Sequence, residues 1–288
     1  LSKSLPCEGA RENRILVAAM FSFEVDTLRV SIEQHRGIAD MLIVESTEVH
    51  NIHENTTKPL LWKNTLYREY VNESFITSIT CSPGEKKEMW DSEIRQNKCM
   101  SQAIHARKYM YDVVVVGSID EILGRTALLR LKHCPLPRLP TSSAIGMPLG
   151  RLDRKFYTDW HYQKHPYSFS LPTLYPAQYD KHFVRSFRVK GSTPIIGGLH
   201  MTNYCFLPNI VLKELTATEY GHHMTRRIFC EKSIQYFKQE CYSMLHTRTS
   251  PGLSKETEIP CALSGDVLPA WNGRVDGREI RFWKHMCM

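Results

Sequence analysis

No window of this 288-residue chain approaches about 18 consecutive apolar residues, so no segment reads as a membrane-spanning helix. The phosphate loop G-x-x-x-x-G-K-[S/T], a G-x-G-x-x-G turn after the first strand, H-E-x-x-H and G-x-S-x-G are all missing. No two cysteines form a C-x-x-C pair, which leaves out the usual zinc and dithiol spacings. His161 and His165 are four apart and His222 and His223 adjacent, but no cysteine or acid stands at ligand spacing, so both pairs read as structural or surface histidines. There is no internal repeat and no low-complexity tract.

The nine cysteines are many for a cytosolic chain of this length and fit an oxidising lumen better. Asn55-Thr56-Thr57 and Asn72-Glu73-Ser74 are acceptor sequons for N-glycosylation and tilt the compartment the same way. The chain opens on Leu1 rather than Met, which reads as a trimmed or mature portion. Hydrophobic residues make up 42%, ample for a packed core. The net charge is +7, and residues 125–190 carry twelve Lys and Arg against Asp153, Asp159 and Asp180. Such a segment suits an anion: either nucleic acid, for which no binding motif is present, or a nucleotide diphosphate in a basic-rimmed cleft.

The chemistry-bearing stretch is Asp112-Val113-Val114-Val115-Val116-Gly117-Ser118-Ile119-Asp120-Glu121-Ile122. Four valines without polar alternation predict a strand buried on both faces, the centre of a mainly parallel sheet. The acids after it fall at the strand's carboxyl end, where ligands of open α/β sheets bind. Asp120 and Glu121 there can hold a divalent cation, or Asp120 can cap the helix starting near Arg125. Upstream, residues 14–20 predict a first strand. A helix follows with Val25, Leu28, Ile32 and His35 at helical spacing and Gly37 as its stop, and residues 41–46 predict a second strand. Residues 75–80 predict a third strand and 88–111 a long helix leading into the valines, completing an α/β alternation with helices on both faces of the sheet. Beyond Cys134 prolines punctuate the chain, and the aromatics of 156–162 read as antiparallel core or a sugar platform. Residues 207–215 and 224–245 predict helices, and the Gly- and Pro-containing tail from 247 to 288 a surface wrap.

Taken in order, Phe23-Glu24 with Leu28, Val44-Glu45-Ser46, Lys58-Pro59-Leu60, Trp90 with Arg95-Gln96-Asn97, Asp120-Glu121-Ile122, Gly198, His200-Met201-Thr202 and Thr218-Glu219-Tyr220 form a spaced series over residues 14–230. The series resembles glycosyltransferase family 17, the transferases that add the bisecting β1,4-linked N-acetylglucosamine to the core mannose of N-glycans. The resemblance implies one GT-A type α/β domain over residues 14–246, after a polar lead of residues 1–13. It further implies Mn²⁺ or Mg²⁺ on Asp120 and Glu121, UDP-GlcNAc as donor, and an N-glycan of a glycoprotein as acceptor. Glu24, Glu45, Ser118, Glu121 and His200 would meet the nucleotide sugar, with His200 orienting a phosphate or hydroxyl, and Glu219 is preferred to Asp159 as the base. Location follows as the Golgi lumen or secretory pathway, with membrane attachment only through a segment outside this chain. The family usually reads Asp-x-Asp-Glu-Ile-Pro where this chain has Ser118-Ile119-Asp120-Glu121-Ile122-Leu123, so the site carries one formal charge fewer. Leu199 likewise replaces the family's usual tryptophan. The competing expectation is a non-catalytic glycan or nucleotide-sugar binding protein that has kept the fold.

Overall fold

The computed structural model describes residues 12–22, 24–50, 57, 58, 60, 71–88, 90–137, 139–149, 151–156, 172–184 and 195–201. Strand β1 (Ile15–Phe21) is buried along its whole length. Helix α1 (Val25–His35) follows, and Gly37, at a φ of 73°, turns the chain into β2 (Asp40–Ser46). Strand β3 (Ile76–Cys81), helix α2 (Asp91–His105), a 3₁₀ turn (Lys108–Met110) and β4 (Val113–Ser118) complete the first half. A three-residue strand β5 (Glu121–Leu123), helix α3 (Arg125–His133) and strands β6 (Thr141–Leu149), β7 (Arg151–Phe156), β8 (Thr173–Pro176) and β9 (Ile195–His200) follow.

The sheet runs β3-β2-β1-β4-β8-β6-β9-β5, with β7 paired to β6. From β3 to β4 every pairing is parallel. β8 then joins antiparallel to β4 and β6, and β9 lies parallel to β6 and antiparallel to β5. The α/β architecture expected from the sequence is therefore present: a parallel half-sheet with helices on both faces.

The valine run explains the layering. Val114 and Val116 face Leu16, Ala18, Leu42, Val44 and the Met100 and Ile104 side chains of α2. Val113 and Val115 face the other way, onto Ile15, Val17 and the Leu128 and Leu131 side chains of α3. Leu28 and Ile32 of α1 cover Ala19, Phe21, Met41 and Ile43 on that second face. Each of the four valines is at most 1% exposed, and such burial contributes about 1.5–3 kcal/mol per side chain.

The helix expected over 88–111 is shorter at both ends. The Asp91 carboxylate accepts the backbone N–H groups of Lys87 and Glu88 at 2.7 and 2.8 Å, holding that segment as a turn before the helix begins. At the far end the chain tightens into the 3₁₀ turn before β4. A Cys81–Cys99 disulfide ties the end of β3 to α2 across a sequence separation of 18, which constrains the unfolded chain by about 3 kcal/mol. Cys134 is disulfide-bonded as well. Asn72, in the second sequon, is exposed before β3. Among the described residues no helix is long and apolar enough to cross a membrane. The helices expected at 207–215 and 224–245, the aromatics at 157–162 and the tail from 247 lie outside the described residues.

Candidate metal centre

Parallel pairing aligns the carboxyl ends of β1, β2 and β4: Phe21 sits opposite Glu45, and Met20 opposite Ser118. Two strand spacings therefore separate Glu45 from Ser118, about 10 Å. Beyond Ser118 the chain turns at once, with the Ile119 N–H donating to Met20 O at 2.9 Å. The turn places Asp120 and Glu121 just beyond the carboxyl end of β4.

A third side chain joins them from far along the chain. Antiparallel pairing of β5 with β9 sets His200 opposite Glu121, and the Met201 N–H donates to Asp120 O at 2.7 Å. His200 Nε2 lies 3.5 Å from Asp120 Oδ2 and 4.0 Å from Glu121 Oε1. Two glycines admit β9 to this position. Gly197 and Gly198 have φ values of 136° and 135°, and a β-carbon on Gly198 would collide with Ile122 O and Leu123 Cα. The Asp120 side chain is fully buried and that of Glu121 likewise, while the His200 side chain is 7% exposed.

One ligand atom from each of Asp120, Glu121 and His200 lies within 4.8 Å of the others. Around an octahedral cation with bonds of about 2.1 Å, neighbouring donors stand about 3 Å apart and opposite ones just over 4 Å. The two separations from His200, 3.5 and 4.0 Å, fall in that range, and two carboxylates with an imidazole form a donor set suited to Mn²⁺. The Ser118 N–H donates to Glu121 Oε2 at 3.0 Å, which fixes the carboxylate's orientation. Ser118 thus acts here through its backbone. Asp120 is not a helix cap: α3 begins after Gly124, and no side-chain hydrogen bond caps it.

The other expected residues divide. Glu45 is enclosed, forming a 3.3 Å ion pair with Lys58, whose Nζ also lies 5.2 Å from the Phe21 ring centroid. Burial pushes the Lys58 ammonium below its ordinary pKa, against the pull of Glu45 and Glu24. Glu24 sits at the start of α1 and accepts the Ser22 N–H at 3.1 Å. Beside them Gln96 donates to Val44 O at 2.8 Å and Phe21 O at 3.4 Å, closing the carboxyl ends of both strands. Its carbonyl meets His50 Nε2 at 2.6 Å. His50 is held below its ordinary pKa by burial, with Glu93, Gln96, Glu24 and Glu48 acting in the opposite sense. Arg95 clamps Glu48 at 3.0 Å. Asp159 and Glu219 lie outside the described residues.

Sequence reasoning placed His200 near substrate and did not group it with the acids. Lys58, Gln96 and His50 carried no assigned role, although Lys58 and Gln96 fall in the family-like segments. Each is brought in by a contact more than ten positions away in sequence.

No protein-family profile matches this sequence, and no curated protein does. Among solved structures, the crystal structure of the glycosyltransferase GlyE in Streptococcus pneumoniae TIGR4 aligns with a TM-score of 0.26 and 10% identity, over 96% of this chain and 61% of that one. The apo form of GlyE aligns with a TM-score of 0.26 and 12% identity, over 96% and 60%. The chain spans about three fifths of the length of those structures, and the likeness to a glycosyltransferase is weak.

Proposed function

We propose that this chain is an inverting glycosyltransferase moving N-acetylglucosamine from UDP-GlcNAc to a mannose of an N-glycan core in β1,4 linkage. The observation that carries the reading is the buried Asp120, Glu121 and His200 group at the carboxyl end of β4. Mn²⁺ or Mg²⁺ bound there would offset the negative charge that develops on the departing diphosphate. Asp120, Glu121 and His200 are the residues to hold it. Glu24 and Glu45, one and two strands away, are assigned to the nucleotide or sugar hydroxyls. The acceptor hydroxyl attacks the anomeric carbon from the face opposite UDP. As the new C–O bond forms, the bond to the diphosphate oxygen breaks with its electron pair, and the hydroxyl proton passes to a carboxylate. Glu219 is assigned that proton in preference to Asp159. Residence in a secretory lumen is part of the proposal, supported by the Cys81–Cys99 disulfide and the exposed sequon residue Asn72.

The test is UDP release from UDP-GlcNAc with an N-glycan core as acceptor, with and without Mn²⁺. Transfer should require the metal and vanish in Asp120→Ala with the fold intact. Activity indifferent to chelator and to that substitution would refute the metal assignment. The alternative, a glycan or nucleotide-sugar binding protein, is favoured by Ser118 standing where the resembling family has an acid. It predicts that UDP-GlcNAc with Mn²⁺ raises the melting temperature without UDP release.

A further inference from the structure

Away from the metal group, the outer face of α2 and the segment 182–184 enclose a groove of about 410 Å³, within the usual range of ligand pockets, about 300–1,000 Å³. Trp90, Glu93, Ile94 and Asn97 recur along one side of the helix and form one wall. Gln96, on the buried side of the same helix, is the residue bound to the carboxyl ends of β1 and β2, so the groove flanks the same end of the sheet as the candidate metal centre. The far wall is packed into the core. Phe183 is fully buried, its N–H donates to Ser101 Oγ at 3.1 Å, and its ring packs on Tyr175 at 5.3 Å and Tyr179 at 5.6 Å.

We propose that this groove binds a neutral pyranose ring of the acceptor oligosaccharide, at a distance from the reacting centre. The choice of acceptor rests on the transferase reading above; the choice of a sugar rests on the groove. Trp90 keeps 41% of its surface exposed at the lip and Ile94 47%, a large apolar area for a folded surface to leave in water. An indole face accepts the C–H face of a pyranose, while the rim of the ring still needs polar partners. Asn97 supplies one. Its Nδ2 is committed to Glu93 O at 3.0 Å, and its Oδ1, buried and without a hydrogen-bond partner among the described residues, gains a hydroxyl donor when a bound ring turns the amide toward the groove. Glu93 and Lys98 line the same groove with opposite charges, which favours a neutral ligand over an anion or a cation.

An N-glycan core oligosaccharide titrated into the full chain by calorimetry, in chelator and without nucleotide, tests the proposal. Saturable binding should appear without metal, weaken about tenfold or more in Trp90→Ala, and stay within about threefold of the parent in Trp90→Phe. Trp90 is half exposed, so the alanine variant's thermal unfolding should stay close to the parent's. No saturable binding, or equal binding by the parent and Trp90→Ala, would overturn the groove assignment. Loss of UDP and Mn²⁺ binding with glycan binding intact would instead overturn the transferase reading and leave the groove standing.

Discussion

Replacing Lys58 by methionine probes the closed ion pair at the end of β2. The Lys58 and Glu45 side chains are 3% and 0% exposed, so no solvent is at hand to take over a stranded carboxylate. Removing one partner from such a pair costs about 3–5 kcal/mol, because the remaining charge stays buried and uncompensated. For a folded unit of 150–250 residues that corresponds to a fall of about 6–20 °C in melting temperature. The double variant Lys58→Met with Glu45→Leu removes both charges and should recover to within about 1 kcal/mol of the parent, or exceed it. Thermal and urea unfolding of the four members of the cycle give the coupling energy directly. A Lys58→Met cost below about 1 kcal/mol would refute the reasoning, since it would mean that water reaches Glu45. The same double variant, folded but without the Glu45 carboxylate, tests the donor assignment, which requires Glu45 to exchange its Lys58 contact for a donor hydroxyl, and should bind UDP-GlcNAc more weakly. Parent-like binding would remove Glu45 from the donor site.

Three further outcomes are expected. His35, fully buried with Nδ1 2.6 Å from Ser31 O, has its pKa lowered by burial from 6.5 to about 4. Between those values only the unfolded chain binds the proton, so stability falls as pH drops through the window, by about 3 kcal/mol in all. His35→Gln should flatten that acid limb of melting temperature against pH, and an unchanged limb would exclude His35 as its source. In Gly117→Ala the new β-carbon would lie 2.6 Å from Glu121 Oε2 and 2.9 Å from Pro172 Cβ. The displaced carboxylate should weaken Mn²⁺ binding about tenfold by calorimetry, and unaltered affinity would take Glu121 out of the ligand set. Ser118→Asp adds an anionic oxygen ligand next to the group and should tighten Mn²⁺ roughly tenfold. Unchanged affinity in that variant would place residue 118 out of ligand reach.

The parallel core was legible because its signals are local. An unbroken valine run, a strand of buried residues at 15–21, and a helix closed by Gly37 each report their own environment within a dozen residues. The edges were less so. Whether the helix before β4 begins at 88 or 91 depends on the Asp91 carboxylate finding the backbone of Lys87 and Glu88, a contact that periodicity does not register. Disulfide pairing was not legible either, since nine cysteines permit many partners and only the packing of α2 against the sheet brings Cys99 to Cys81.

At the site the same division holds, and it says where function is encoded. Asp120 and Glu121 announce themselves because they are sequence neighbours that directly follow an unbroken apolar strand, at its carboxyl end. His200 does not, because its partnership is made by β9, nearly eighty positions on, through a register that two positive-φ glycines permit. The residues that position the site are of the second kind. Gln96 reaches from α2 to close β1 and β2, and Lys58 arrives beside Glu45 from a segment tied back to the chain after β2 by its own N–H to Thr47 O at 2.8 Å. A strand end can offer two carboxylates from sequence neighbours alone. Turning them into a three-donor group takes a distant strand, which makes the β5–β9 register, set by Gly198 against Leu123, the feature on which the proposed metal site rests.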